Sequence, residues 1–170
     1  MTEAATATAD SLELSVTRFI DAPPETVYRV YTERLEEWWA PAPWKTTVRE
    51  MDLRAGGRFA FDMAGPDGET HPSDSVYLEV VPGERIVNTN AFTAGWQPKG
   101  SMDSDCDFPC VSIVTFEPEG SGTRYTARVR HWTVEAAKAH EAMGFEPGWN
   151  MVAGQLAGLA EAEAHASQAA

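Results

Sequence analysis

Among the side chains of this sequence that could do chemistry, His131 stands out by its pattern. In Tyr125-Thr126-Ala127-Arg128-Val129-Arg130-His131 the histidine keeps step with Tyr125, Ala127 and Val129, while Arg124, Arg128 and Arg130 take the alternate positions. Alternation with a period of two marks a strand with one dry and one wet face, so His131 is expected to point inward. An inward imidazole, with a reference pKa of about 6.5, can anchor a ligand or carry a proton. As an acid or base it needs a second polar group within reach, and Glu50 and Asp52 are the carboxylates considered for that part. The competing reading is a core histidine satisfied by a hydrogen bond. Asn88 and Asn90 share one side of another strand, whose register stays open: Ile86 and Phe92 put that side inside, whereas Val87 and Ala91 favour the other.

Cys106 and Cys110, with Asp103, Asp105 and Asp107, invite a metal reading. Zinc usually takes four nitrogen or sulfur ligands, and no histidine stands near these cysteines. The D-x-D-x-D run is similar to a calcium loop, but its sixth position is Phe108 rather than Gly and its twelfth is Val114 rather than Glu. A solvated acidic loop over 93–109 accounts for the segment, and neither metal nor cofactor is expected. Two cysteines make no disulfide framework, and their redox state stays open. The sequence carries no G-x-S-x-G nucleophile motif, phosphate loop or dinucleotide fingerprint.

The third resource is aromatic. Six tryptophans and seven phenylalanines supply apolar area that either packs solidly or lines a pocket, since pockets are mostly apolar with a few placed polar groups. Trp38, Trp39, Phe59, Phe61, Met63, Trp96, Trp132 and Trp149 form the set in question.

The elements that must position these residues follow from periodicity and turn signals. A strand runs to Ile20 through Leu12, Leu14 and Val16. Asp21 is expected to cap a helix entered through Pro23 and Pro24, and a short second helix spans 33–38 before the prolines at 41 and 43. Strands follow over 46–53, 58–63, 75–81, 85–92, 111–116 and 123–132, separated by glycine and proline turns. A helix over 133–143 stops at Gly144. A longer one runs from Pro147 to about Ala164, with Trp149, Val152, Ala153, Leu156, Leu159 and Ala160 on one side. Strands joined by short turns make an antiparallel sheet, one face of which needs a cover. The last helix has the single apolar stripe to provide it. The expected class is α+β: a curved antiparallel sheet of about six to seven strands around a long C-terminal helix. One domain spans 12–164, with tails at 1–11 and 165–170.

Composition narrows the partners. Thirteen basic against 26 acidic side chains leave a formal charge of −13, and phosphate backbones bind through Lys and Arg. Neither nucleic acid nor membrane is an expected partner, and no apolar run is long enough to span a bilayer. Residues 1–10 lack the basic start and apolar centre of a secretory signal, so a cytoplasmic location is expected.

Six motifs, in order over about 14–159, carry a resemblance to a known family. They are Arg18-Phe19-Ile20-Asp21-Ala22-Pro23 with Val27-Tyr28; Trp38-Trp39-Ala40-Pro41; Asp52-Leu53-Arg54-Ala55-Gly56-Gly57-Arg58-Phe59; Tyr77-Leu78-Glu79-Val80-Val81-Pro82-Gly83-Glu84-Arg85-Ile86-Val87; Gly122-Thr123-Arg124; and Met143-Gly144-Phe145-Glu146-Pro147-Gly148-Trp149. Together they resemble the bacterial relatives of the activator of the ninety-kilodalton heat-shock protein's ATPase, within the START-like (SRPBCC) superfamily. The resemblance implies the helix-grip fold. Asp52, Arg54, Gly56 and Gly57 read as a braced turn, because glycine permits positive φ and close backbone approach. The functional expectation is non-catalytic binding of a small lipophilic or aromatic molecule between sheet and helix. The expected lining is Trp39, Phe59, Phe61, Met63, Tyr77, Phe92, Trp96, Trp149, Val152 and Leu156, with His131 as the polar anchor. The resemblance also leaves two alternatives: a co-chaperone-like protein with a chaperone partner, and a cyclase or aromatase using His131. A homodimer is left open.

Overall fold

The computed structural model describes residues 11–99 and 108–169. Asp103, Asp105, Cys106 and Asp107, and nearly all of the expected N-terminal tail, lie outside them.

The chain opens with β1 (Glu13–Ile20), whose buried side is Leu14, Val16 and Ile20. Helix α1 (Pro24–Glu33) follows without a side-chain cap, contrary to the expectation for Asp21. Pro24 has no N–H to satisfy. The carbonyl of Pro23 already accepts from Thr26 and Val27, and the Asp21 N–H donates to the carboxylate of Glu161. A single turn, α2 (Leu35–Trp38), buries Leu35 and Trp38. The meander then runs β2 (Lys45–Met51), β3 (Arg58–Ala64), β4 (Thr70–Val81) and β5 (Arg85–Thr89). Between β2 and β3 the turn is braced as expected. Gly56 takes φ +81°, and a Cβ on Gly57 would lie 1.9 Å from the Asp52 carbonyl oxygen. Arg54 pairs with Asp52 at 2.8 Å.

β4 begins five residues before the expected 75, and residues 70–74 pair with β3. Its early inward positions are serines, so apolar alternation cannot show it. β5 stops at Thr89 rather than 92. A separate hairpin of β6 (Phe92–Thr93) and β7 (Gln97–Pro98) then occupies the end of the expected strand and the start of the loop expected over 93–109. The sheet resumes with β8 (Cys110–Glu119) and β9 (Gly122–His131). Helix α3 (Val134–Ala142) is capped by Thr133 Oγ1, which accepts from the Ala136 N–H at 3.1 Å. Gly144, at φ +93°, turns the chain into α4 (Phe145–Gln168), which begins before Pro147 and continues past the expected end near 164.

The seven-stranded antiparallel sheet has the order β1-β9-β8-β5-β4-β3-β2. Helix α4 packs chiefly against α1, β1, α2 and α3, and α2 stands over β2 at the opposite edge. The grip is therefore asymmetric. The long helix seals the β1 side, while the sheet around β3, β4 and β5 faces the short helices and the entry to α4.

Candidate functional site

Cross-strand rows show how the interior changes along the strands. Ile86, Val114, Ala127 and Val16 stand side by side across β5, β8, β9 and β1, all apolar and buried. One pleat further, the row is Asn88, Ser112, Val129 and Leu14. Another pleat on, Cys110 faces His131, and the Asn90 carboxamide oxygen accepts the Cys110 N–H at 2.8 Å. On β3 and β4, Phe59 pairs with Ser75 and Phe61 with Ser73. The sheet floor thus passes from apolar to polar as it leaves the packed half.

Over that polar floor lies a cavity of about 190 Å³. Its roof comes from Tyr31, Leu35, Trp39, His140 and Trp149. Trp39 is held by its backbone: its carbonyl accepts from Thr46 Oγ1, and Gln155 of α4 donates to the flanking carbonyls of Trp38 (2.6 Å) and Ala40 (2.9 Å). The ring meets Trp149 edge-on at 5.2 Å and Phe61 at 6.3 Å. Phe59 stacks on Tyr77 at 5.2 Å. No Asp, Glu, Lys or Arg is among the described lining residues. Burial raises the pKa of the lining Tyr31 phenol far above its usual value, so it stays neutral.

The polar lining residues divide into two kinds. Asn90 donates to the Phe108 carbonyl at 3.2 Å, and Ser75 donates to the Phe59 carbonyl at 3.1 Å, so both are engaged in holding backbone. The side chains of Asn88 and Ser112 make no hydrogen bond among the described residues, and the buried indole N–H of Trp39 has no acceptor there. Such groups can hydrogen-bond a guest.

At the α3 end the cavity meets a histidine pair. His131 is 4% exposed; its Nδ1 lies 3.0 Å from the Leu12 carbonyl oxygen and its Nε2 lies 2.9 Å from Nδ1 of His140. Phe108, Phe145 and Trp149 enclose the His140 ring with centroids at 5.0, 5.0 and 6.5 Å. Burial first, then the neighbouring His131, push the pKa of His140 down to about 4. Burial also lowers that of His131, against the opposing effect of the Leu12 carbonyl. Both rings are neutral near pH 7.

The expected site residues separate accordingly. Trp39, Phe59, Phe61 and Trp149 border the cavity. Tyr77 stacks on Phe59 but does not border the cavity. Val152 and Leu156 are buried in the core, and Met63, near the end of β3, packs on that core, but none of the three borders the cavity. Phe92 and Trp96 need correction: they belong to the separate β6–β7 hairpin, and neither borders the cavity. Trp96 is 54% exposed, and its ring lies 3.2 Å from where a Cβ on Gly56 would sit. His131 faces inward but touches Leu12 and His140, not the cavity. Trp38 is core, and Trp132 is exposed. Neither carboxylate considered for His131 is near it: Glu50 pairs with Arg58 and Asp52 with Arg54, on the β2–β3 side of the sheet, across from β9. The acid–base arrangement that a cyclase was expected to use is therefore not assembled. Pattern reading missed His140, Ser73 and Ser112. A histidine two turns into a helix carries no periodic signal, and inward serines look like outward ones. For β5 the Ile86 side is the inner one. No group of three metal-ligating side chains occurs among the described residues. No helix there is long and apolar enough to cross a membrane.

Comparison with known proteins agrees with this architecture. The family model described as "Activator of Hsp90 ATPase homolog 1-like protein" matches residues 21–161. The crystal structure of protein NE0264 from Nitrosomonas europaea is 32% identical; the match covers 93% of this chain and 98% of that one, with a TM-score of 0.81. A solution structure of a protein from Arthrobacter aurescens, 21% identical over 94% of this chain and 92% of its own, has a TM-score of 0.78 and shares the fold. So does the AHSA1 protein from Silicibacter pomeroyi, 20% identical over 86% and 95% of the two chains, with a TM-score of 0.63. No curated protein matches the chain significantly.

Proposed function

The chain belongs to the Activator of Hsp90 ATPase homolog 1-like protein family, and from that premise we propose that it binds a small, neutral, largely aromatic molecule in the cavity beneath the entry to α4, without transforming it. The observation that carries this reading is a cavity of about 190 Å³ with aromatic walls, with Asn88 and Ser112 unengaged on its floor and no charged side chain among its described lining residues. An apolar cavity of about 150 Å³ accepts benzene, so the volume suits one substituted ring or a small bicycle rather than a sterol or a lipid. An uncompensated charge in such surroundings costs several kcal/mol or more, which favours neutral guests. Trp39, Phe59, Phe61 and Trp149 supply the contact surface, and two of them report on it optically.

The test is a thermal-shift and tryptophan-fluorescence titration with monocyclic and bicyclic aromatic compounds, run beside Ser112→Phe, which fills the floor. The wild type is expected to gain stability and change emission, and the filled variant to respond to none. A wild type indifferent to every compound would remove the proposal. The co-chaperone alternative rests on the family description alone. It predicts stimulation of a chaperone ATPase by the purified protein, at a rate unaffected by filling the cavity.

A further inference from the structure

The two histidines carry a consequence for what the cavity selects. A carbonyl oxygen can only accept a hydrogen bond. The 3.0 Å contact between His131 Nδ1 and the Leu12 carbonyl therefore puts the His131 proton on Nδ1. In a neutral ring this leaves Nε2 of His131 as an acceptor. Its neighbour at 2.9 Å, Nδ1 of His140, must then carry the proton and donate. The remaining nitrogen of His140, Nε2, keeps a bare lone pair and has no partner among the described residues, on a ring that lines the cavity. A main-chain carbonyl on the strand side of the domain thus sets the hydrogen-bonding character of a cavity wall two rings away.

We propose that the cavity selects a neutral aromatic compound bearing one hydrogen-bond donor, a phenol or an N–H heteroaromatic, and that His140 Nε2 accepts this bond in a tautomer fixed by Leu12 through His131. This rests on the ligand-binding reading above and gives it a chemical class. The aromatic lining holds the ring. The bare nitrogen matches a donor and repels the lone pairs of a pure acceptor. Among the described residues whose rings contact His140, namely His131, Phe108, Phe145 and Trp149, His131 alone titrates. Among the described lining residues, cationic guests meet no carboxylate and anionic ones no guanidinium or ammonium. No bond is made or broken in the guest, and His140 is a positioning and selecting residue.

The probes are p-cresol, toluene and benzoate, titrated near pH 7 by isothermal calorimetry with the full chain. The wild type is expected to bind p-cresol on the order of tenfold more tightly than toluene, and benzoate more weakly than either. His140→Phe is expected to invert the first order, and His140→Gln, whose amide oxygen can still accept, to keep part of the p-cresol preference. Nitrogen-detected imidazole spectra of the unliganded wild type give a readout independent of any variant's folding: both rings should carry the proton on Nδ1. Equal binding of p-cresol and toluene, a preference for benzoate, or a His140 protonated on Nε2 would each overturn the selection while leaving a ligand-binding cavity standing. No binding of any probe, with the Nδ1 tautomers confirmed, would overturn selection and cavity together.

Discussion

The two halves of this grip share the strands β5, β8 and β9 and the same long helix, yet one is solid and the other hollow. In the solid half, Ala153, Ala157, Ala160 and Ala164 of α4 are all buried, and α4 lies against α1 and β1. Small side chains let a helix approach its neighbours closely, and the apolar row Ile86, Val114, Ala127 and Val16 fills what remains. In the hollow half, α4 presents Trp149, and the floor carries Asn88 and Ser112. Large rings keep the layers apart, and polar floor groups cannot be closed over by hydrocarbon without losing hydrogen bonds. The comparison teaches that the cavity is written into two places at once, the alanine-to-tryptophan change along one helix and the apolar-to-polar change along the strands.

Substitutions in the two halves should therefore differ in size and even in sign. The largest effect is expected at Leu156, which is fully buried in the solid half. Leu156→Ala should cost about 2–5 kcal/mol in chemical denaturation. Next comes Ala160→Leu, at a position with no exposed surface, where overpacking should cost about 1–3 kcal/mol. If either proved nearly neutral, the solid half would be looser than described. A smaller effect comes from the boundary. Because His140 titrates in the folded protein at about 4 and His131 is also lowered, the unfolded chain takes up their protons first. Their contribution to stability is then complete above about pH 6.5 and is lost progressively as the pH falls toward 4. The paired carboxylates Glu37, Glu79, Glu119 and Glu163, all lowered by arginine partners, act the same way from the ordinary carboxylate range downward, below the histidine window. Denaturation midpoints between pH 7 and 5 isolate the histidines: the decline should vanish in the His131→Phe/His140→Phe double variant. The smallest change is expected for Ser112→Phe, which fills space already present and should shift the stability by less than about 1.5 kcal/mol in either direction. A penalty as large as that at Leu156 would mean that the hollow half is not hollow.

Legibility in the sequence followed burial chemistry. β1, β3 and β9 were readable because inward residues such as Leu14, Phe59 and Val129 alternate with polar ones, and Gly144 and Thr133 mark helix boundaries whose chemistry is local. The first part of β4 was not readable because Ser73 and Ser75 face inward, and a hydroxyl that lines a cavity looks like one that faces water. The inward direction of His131 followed from its strand. Its partner did not, since His140 reaches it from a helix nine positions later in the chain, a meeting that periodicity cannot show. Phe92 and Trp96 were misplaced for a related reason: aromatic character identifies a residue that benefits from contact, not the surface it will touch.

By itself the sequence determined the order of elements, the antiparallel sheet, the covering helix and the turn built on Gly56 and Gly57, because each depends on spacing or on backbone freedom within a few residues. Only the tertiary structure decided which side of β5 is inside, that a cavity remains beneath Trp149, and that a carbonyl at Leu12 governs a nitrogen on His140. Those outcomes depend on how closely whole layers approach and on which hydrogen bonds meet across them, and no local pattern encodes either.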